Sequence, residues 1–332
     1  MKAWLALHLL RRFAPMVVPA ALFSIACTDD GGQNDGGGDA PSDVQQQNDG
    51  GTDAPPDVVV PPKCNVTMQW GTGTKLPVST SQPDLFGAIT PDELTIAWMT
   101  TAGAVLYADR NAATDPFGTP QTLSAGIALD RVALSPDGLT MIVVPTNRNT
   151  LAQVTRGSRS SAFASTLDLA PFVSLDPLSQ EGDSGTTPTH GLFADPMLSA
   201  DGQFLYYSQY GVQTLTMCES YRKTGDNSPW GQGRNLLEPQ LGAPDTSGVR
   251  MIPTGMSSDD LTLFYWDGVA KTEKAAFRDN AIKNNTFKQF LTIGPTYRNA
   301  APVGSCGRIY FCDGPANDAG GADLDLFFAD TK

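Results

Sequence analysis

Apolar and polar positions fall into three regimes along the chain. One apolar run, Phe13 to Ala26, follows the basic residues Lys2, Arg11 and Arg12. Residues 28–62 are dominated by Asp, Gly, Gln and Pro, with eight Asp and no Lys, Arg or aromatic residue. From residue 63 to the end, short runs rich in Val, Ile, Thr and aromatics alternate with clusters of Gly, Pro, Asp and Ser. Such runs read as β-strands separated by tight turns.

Within the third regime a turn recurs. Thr90-Pro-Asp-Glu-Leu-Thr-Ile96, Ser135-Pro-Asp-Gly-Leu-Thr-Met141, Ser199-Ala-Asp-Gly-Gln-Phe-Leu205 and Ser257-Ser-Asp-Asp-Leu-Thr-Leu263 share one pattern, and Gly304-Ser-Cys-Gly-Arg-Ile309 is a degraded fifth copy. Each leads into an apolar stretch, such as Ala97-Trp98 or Phe264-Tyr265. The pattern predicts a strand, a turn stapled by Asp92, Asp137, Asp201 or Asp259, and then a strand buried on both faces. A second signature runs in phase with the first: Phe117, Phe163, Trp230 and Phe287 each follow an Arg at the end of a strand-like run, namely Arg110, Arg156, Arg222 and Arg278. A repeated Arg of this kind is expected to pair with a turn Asp, an exposed pair worth about 0 to 1 kcal/mol. The aromatic residues are expected to pack between units rather than to offer a sugar platform.

Trp70-Gly-Thr-Gly-Thr-Lys-Leu76 carries the aromatic signature but has no strand pair before it, whereas Leu324-Asp-Leu-Phe-Phe-Ala-Asp330 near the C-terminus lacks a following partner. The two ends are therefore expected to meet. The fold class is all-β, a β-propeller of five blades in which the N-terminal strand completes the last blade. Six blades is the alternative, because the longest unit, between Phe163 and Trp230, has room for a partial extra blade. An elongated solenoid or a sandwich is the competitor outside the propeller class.

The Ser-Pro-Asp-Gly turns, Pro196-x-Leu-Ser199, and the stretch from Leu106-Tyr-Ala-Asp-Arg110 to Phe117-Gly-Thr-Pro120 resemble the WD40-like (PD40) β-propeller repeat family, of the TolB-like kind. The resemblance spans residues from about 66 to 332 and is strongest in the first three units. It implies a protein that acts through contacts with other molecules, without naming a partner.

The opening segment has the order of an export signal: basic residues, an apolar core too short to remain as a bilayer-spanning helix, then small residues. Ser24-Ile25-Ala26-Cys27 resembles the bacterial lipobox, which implies diacylglyceryl attachment to Cys27 after cleavage; Ser24 departs from the Leu usual there. Thr28 after the Cys resembles an outer-membrane sorting pattern. The following segment repeats itself, Asn34 to Val44 recurring as Asn48 to Val58. So polar a repeat has little apolar area to offset ordering entropy and is expected to be a disordered acidic tether. The expected organisation is a signal peptide at 1–26, a lipidated Cys and tether at 27–62, and a β-propeller domain at 63–332. Localisation follows as an envelope protein, lipid-anchored at the outer membrane, on its periplasmic or cell-surface face.

Charge excludes some partners. The net charge is −13 with no long basic run, which disfavours nucleic acid and anionic membrane surfaces. Beyond Cys27 four cysteines remain, Cys64, Cys218, Cys306 and Cys312, enough for two disulfides in an exported chain. Cys306 and Cys312 lie on one extended run, about 20 Å apart at roughly 3.3 Å per residue, and are not expected to bridge each other.

Catalytic chemistry is sparse. Only His8 and His190 occur, and His190 sits in the polar stretch from Glu181, expected to be a solvated loop. No zinc, nucleophile-elbow or phosphate-loop motif is present, and no catalytic residue, metal ligand or cofactor is assigned. Five-bladed propellers do host glycosidases that work with two facing carboxylates, and Asp84, Glu181, Asp183, Asp195 and Asp267 are among the acids not repeated between units. The expected function is a monomeric, lipid-anchored recognition or scaffold module that binds a protein or glycan through its propeller faces, lengthened near 170–195 and 237–253. The alternative is a glycan-processing enzyme.

Overall fold

The computed structural model describes residues 64–67, 69–126, 128–146, 150–173, 175, 193–210, 215–222, 229–231, 234–235, 251–268, 270–279, 287, 289–294, 297–313 and 324–332. Calls placed on Cys27, the tether, Glu181, Asp183 and His190 lie outside the described residues.

Five antiparallel sheets form the fold, one per turn motif. Blade 1 consists of β2 (Asp84–Ile89), β3 (Thr95–Thr100), β4 (Val105–Asp109) and β5 (Gln121–Thr122). Blade 2 has β6 (Leu129–Leu134), β7 (Thr140–Pro145) and β8 (Ala152–Thr155). Blade 3 has β9 (Phe193–Leu198), β10 (Phe204–Tyr210), β11 (Leu215–Tyr221) and β12 (Arg234–Asn235). Blade 4 has β13 (Met251–Met256), β14 (Thr262–Asp267), β15 (Thr272–Phe277) and β16 (Gln289–Gly294). Blade 5 has β17 (Arg298–Val303), β18 (Arg308–Asp313) and β19 (Asp325–Asp330), and its outer strand is β1 (Thr74–Lys75) from the other end of the chain. The chain is an all-β, five-bladed propeller, and among the described residues the long unit after Phe163 adds no sixth sheet: in place of an outer strand of blade 2 it has an isolated bridge, Gln153 to Asp168, and one 3-10 turn at Ala170–Phe172.

The second strand of each blade is apolar at successive positions because it is sandwiched between neighbouring blades, and β3 is buried at every residue. Five core clusters fill the seams. Phe86, Trp98, Tyr310 and Leu326 join blades 5 and 1, while Met197, Tyr206, Leu263 and Phe287 join blades 3 and 4. Toward the axis the blades touch almost backbone to backbone. A Cβ on Gly255 would stand 2.5 Å from Pro302 Cδ and 2.6 Å from Ala301 Cα.

Closure uses few strand pairs and several other ties. Thr74 pairs with Phe328 and Lys75 with Phe327. Trp70 bridges Thr331, its indole N–H donates to the Cys306 carbonyl at 3.0 Å, and the Lys332 N–H donates to the Gln69 carbonyl. A disulfide joins Cys64 to Cys306, with Cα atoms 5.0 Å apart. Cys312 is a free, buried thiol, so it does not take part in the two bridges that the four cysteines would allow. The reason is position: Cys312 is enclosed on β18, its thiol donating to the Arg298 carbonyl, with no exposed approach for a second sulfur. Cys218 stands on β11, and its side chain lies outside the described residues.

Candidate functional site

The five turns sit together on one face of the ring, and their chemistry is shared. Each Ser or Thr hydroxyl donates to the carboxylate two residues on, and the same carboxylate oxygen accepts the backbone N–H two residues further. In blade 1 Thr90 Oγ1 lies 2.7 Å from Asp92 Oδ1, which the Leu94 N–H meets at 3.1 Å. Asp137, Asp201 and Asp259 repeat the arrangement with Ser135 and Leu139, Ser199 and Gln203, and Ser257 and Leu261. These are turn staples of the kind that Asp forms with its own backbone. In blade 5 Cys306 takes the Asp position, and its disulfide holds that turn.

The repeated arginines differ from the expectation. Arg156 does not pair with a turn Asp. Its two Nη atoms each lie 2.7 Å from the Asp109 carboxylate, at the end of the previous blade's third strand, and its Nε donates to the Gly138 carbonyl of its own turn. Arg278 likewise reaches Glu219 of blade 3 at 2.9 Å, with its Nε on the Asp260 carbonyl. The guanidinium is driven inward because the aromatic marker lies beneath it: Arg110 over Phe117 at 4.2 Å, Arg156 over Phe163 at 4.5 Å, Arg222 over Trp230 at 4.4 Å and Arg278 over Phe287 at 4.9 Å. The two signatures are thus halves of one stacked clasp; the Arg278 pair is buried on both sides, and the Arg156 pair sets a buried guanidinium against a half-buried Asp109.

Along the axis two small chambers remain. The upper one, about 60 Å³, opens on the turn face and is lined by short stretches of the five innermost strands and their turns, including Ile89, Pro136, Met197, Ala200, Met256 and Val303. The lower one, about 20 Å³, holds Arg131, Asp195, Thr254 and Asn299 and has room for about one water molecule. Arg131 Nε lies 2.8 Å from the fully buried Asp195 carboxylate. Thr254, which lines both chambers, donates to Glu273 behind it; burial pushes the Glu273 carboxyl well above the usual range, against the pull of that hydrogen bond. On the outside, a groove of about 490 Å³ between blades 4 and 5 is lined by Val66, Trp70, Leu291, Ile293 and Tyr297.

Asp84, Asp195 and Asp267, the described ones among the five unrepeated acids named from the sequence, do not converge. Asp84 accepts from the Thr80 N–H, the Thr80 hydroxyl and the Trp98 indole, and burial raises its carboxyl despite them. Asp267 holds Lys274 and the Ala270 N–H. Asp195 alone of the three lines the channel.

No protein-family model matches the sequence, and no curated protein matches it either. Solved structures similar to it include TolB and other β-propellers. TolB from Acinetobacter baumannii is 15% identical, covering 75% of this chain and 54% of that one, at a TM-score of 0.39. The PQQ-bound aldose sugar dehydrogenase from Streptomyces coelicolor is 10% identical over 82% of this chain and 100% of that one, at 0.40. Hydrazine synthase from Kuenenia stuttgartiensis is 16% identical over 80% and 67%, at 0.37. The chain thus spans about half the length of the TolB chain.

The sequence reading missed Arg131, Thr254, Asn299 and Glu273, which occupy different blades and share no local spacing. Asp260 carried a signal that was available: it makes an Asp-Asp pair where blades 2 and 3 have Asp-Gly. It adopts φ +55°, as Glu93 does at the matching place in blade 1 with φ +61°.

Proposed function

We propose that this protein is a recognition or scaffold module of the bacterial cell envelope, lipid-anchored through Cys27 at the outer membrane and held off the lipid by residues 28–62, which binds a protein partner at the turn-face mouth of its propeller. The observation that carries the reading is the mouth itself, a depression of mixed polar and apolar surface to which each of the five blades contributes apolar side chains, among them Ile89, Leu134, Met197, Met256 and Val303. A docking face needs such a patch, since burial of apolar area is the main source of association energy. A glycan face would offer exposed aromatic rings, and the described residues present none; Val173 and Leu291 are the exposed large apolar side chains among them. Asp92, Asp137, Asp201 and Asp259, in the turns around the mouth, serve as staples, which suits a scaffold.

The test uses the full chain in a Gram-negative host. Photo-crosslinking residues placed at Ala200 and Pro136 are expected to give a discrete adduct, while one at Thr122 on the outer rim gives none. Labelling with radioactive palmitate is expected to mark the wild type and to vanish in Cys27→Ser. Equal crosslinking from mouth and rim would overturn the docking reading, and unlabelled wild-type protein the anchor.

A further inference from the structure

Four of the five blades have little or no outer strand. Among the described residues β1, β5 and β12 are two residues long, and blade 2 has only the bridge from Gln153 to Asp168. Blade 4 differs: β16 is six residues long, pairs with β15 on one edge and, among the described residues, has no strand on the other. A free edge of that length offers a row of backbone donors and acceptors to any extended segment that comes alongside. Leu291 and Thr292 on it are exposed, Leu291 at 37%. They form one wall of the outer groove of about 490 Å³, whose other wall includes Val66 and Trp70.

That second wall is the start of the described chain. Cys64 packs on the same core cluster as Ile293 and Tyr297, and its disulfide to Cys306 pins the point at which residues 28–62 reach the propeller. The stretch that arrives there is not polar throughout. Its two repeats match through Val44 and Val58 and then diverge: Val44 is followed by Gln45-Gln46-Gln47, Val58 by Val59-Val60-Pro61-Pro62. Val58-Val59-Val60 is the one run of three apolar residues between 28 and 62, and β-branched residues in a row favour an extended chain packed on a sheet. Val60 is four residues from Cys64, a reach of up to about 13 Å at roughly 3.3 Å per residue, whereas neighbouring strands lie about 4.8 Å apart.

We infer that the groove is the dock of the chain's own Val58-Val59-Val60 run, which adds along the free edge of β16 as an outermost strand of blade 4. Leu291 and Ile293 lie two residues apart on one face of β16, and Val58 and Val60 repeat that spacing, so the two pairs cover each other. Pro61 and Pro62, which cannot donate to a ladder, end the added strand before the disulfide. Docking leaves residues 28–57 as the spacer and moves its point of departure from Cys64 to the outer side of blade 4. It also covers an edge that otherwise invites pairing with other chains. The inference is independent of docking at the mouth, which lies on the axis.

The experiment uses the full exported chain in detergent and two readouts. A photo-crosslinking residue in place of Val60 is expected to give an adduct within one chain, joined to the tryptic peptide of residues 289–298. Amide hydrogen exchange of residues 291–294, corrected for intrinsic rates, is expected to run at least tenfold faster in the double variant Val58→Asp with Val60→Asp, and in Leu291→Asp, than in the wild type. Unchanged exchange over β14 in both shows that the propeller still folds, and the peptide Asp-Val-Val-Val-Pro-Pro added to the double variant should restore protection. Equal exchange in the wild type and both variants overturns the inference. So does an adduct between two copies, which assigns the groove to a second chain, or an adduct on any other part of the propeller.

Discussion

Removing the Arg278 guanidinium should cost far more than the loss of a surface ion pair. Its side chain and that of Glu219 are 0% and 1% exposed, 2.9 Å apart. The same guanidinium holds the Tyr206 hydroxyl at 3.1 Å, supports the Asp260 carbonyl at 2.7 Å and stacks over Phe287. An exposed pair contributes about 0 to 1 kcal/mol, whereas deleting one member of a buried pair costs about 3 to 5 kcal/mol because the other charge stays desolvated. Arg278→Ala is therefore expected to destabilise the domain by about 3 to 5 kcal/mol. With a urea slope of about 2 to 3 kcal/mol per M, the unfolding midpoint falls by roughly 1 to 2.5 M. Neutralising the abandoned acid should restore much of this, so Arg278→Met combined with Glu219→Gln is expected to be more stable than Arg278→Met alone. A loss below about 1 kcal/mol, or strict additivity in the double variant, would refute the view of the arginines as buried clasps.

Three further outcomes follow from the geometry. Replacing Cys64 with Ser opens a loop of sequence separation 242 and is expected to lower stability by up to about 5 kcal/mol, with hydrogen exchange rising first over residues 64–76. Asp260 has a raised folded-state pKa of about 7 against an ordinary value of 3.8, so the fold prefers its neutral form; stability is full below about pH 4 and declines as pH climbs to 7, by an amount on the order of 4 kcal/mol, and Asp260→Asn should flatten that decline in thermal unfolding at pH 5 and 8. Gly255→Ala forces a methyl into the Ala301 and Pro302 backbone and is expected to cost about 1 to 3 kcal/mol by chemical denaturation, while Gly157→Ala, with nothing within 4 Å, should be close to neutral.

The propeller was legible because its information is local and repeated. The turn from Ser135 to Thr140 contains its own staple, and each following strand declares its burial by an unbroken apolar run. Ring closure was legible for a related reason, since Trp70 had a signature without a local partner. The arginine clasp was half legible: the spacing from Arg156 to Phe163 was visible, but the carboxylate it meets is Asp109, one blade away, and nothing in the local spacing distinguishes that acid from the turn acids. The lower chamber was not legible at all. Arg131, Asp195, Thr254 and Asn299 come together only because five innermost strands converge on an axis, and no sequence period marks them.

Closing the ring with its own N-terminal arm sets a timetable for folding. Lys75 meets Asp325 across 250 residues of chain, and Cys64 meets Cys306 across 242. At about 5 to 20 residues per second of synthesis, the arm waits roughly 10 to 50 s for its partner strand to exist. Four blades can order in sequence during that interval, each against the last, while Cys64 remains a thiol. The next cysteine to emerge is Cys218, so in an oxidising compartment the first bridge available to Cys64 is a wrong one. A chain caught in that pairing reaches the native bridge only by thiol exchange once blade 5 has arrived.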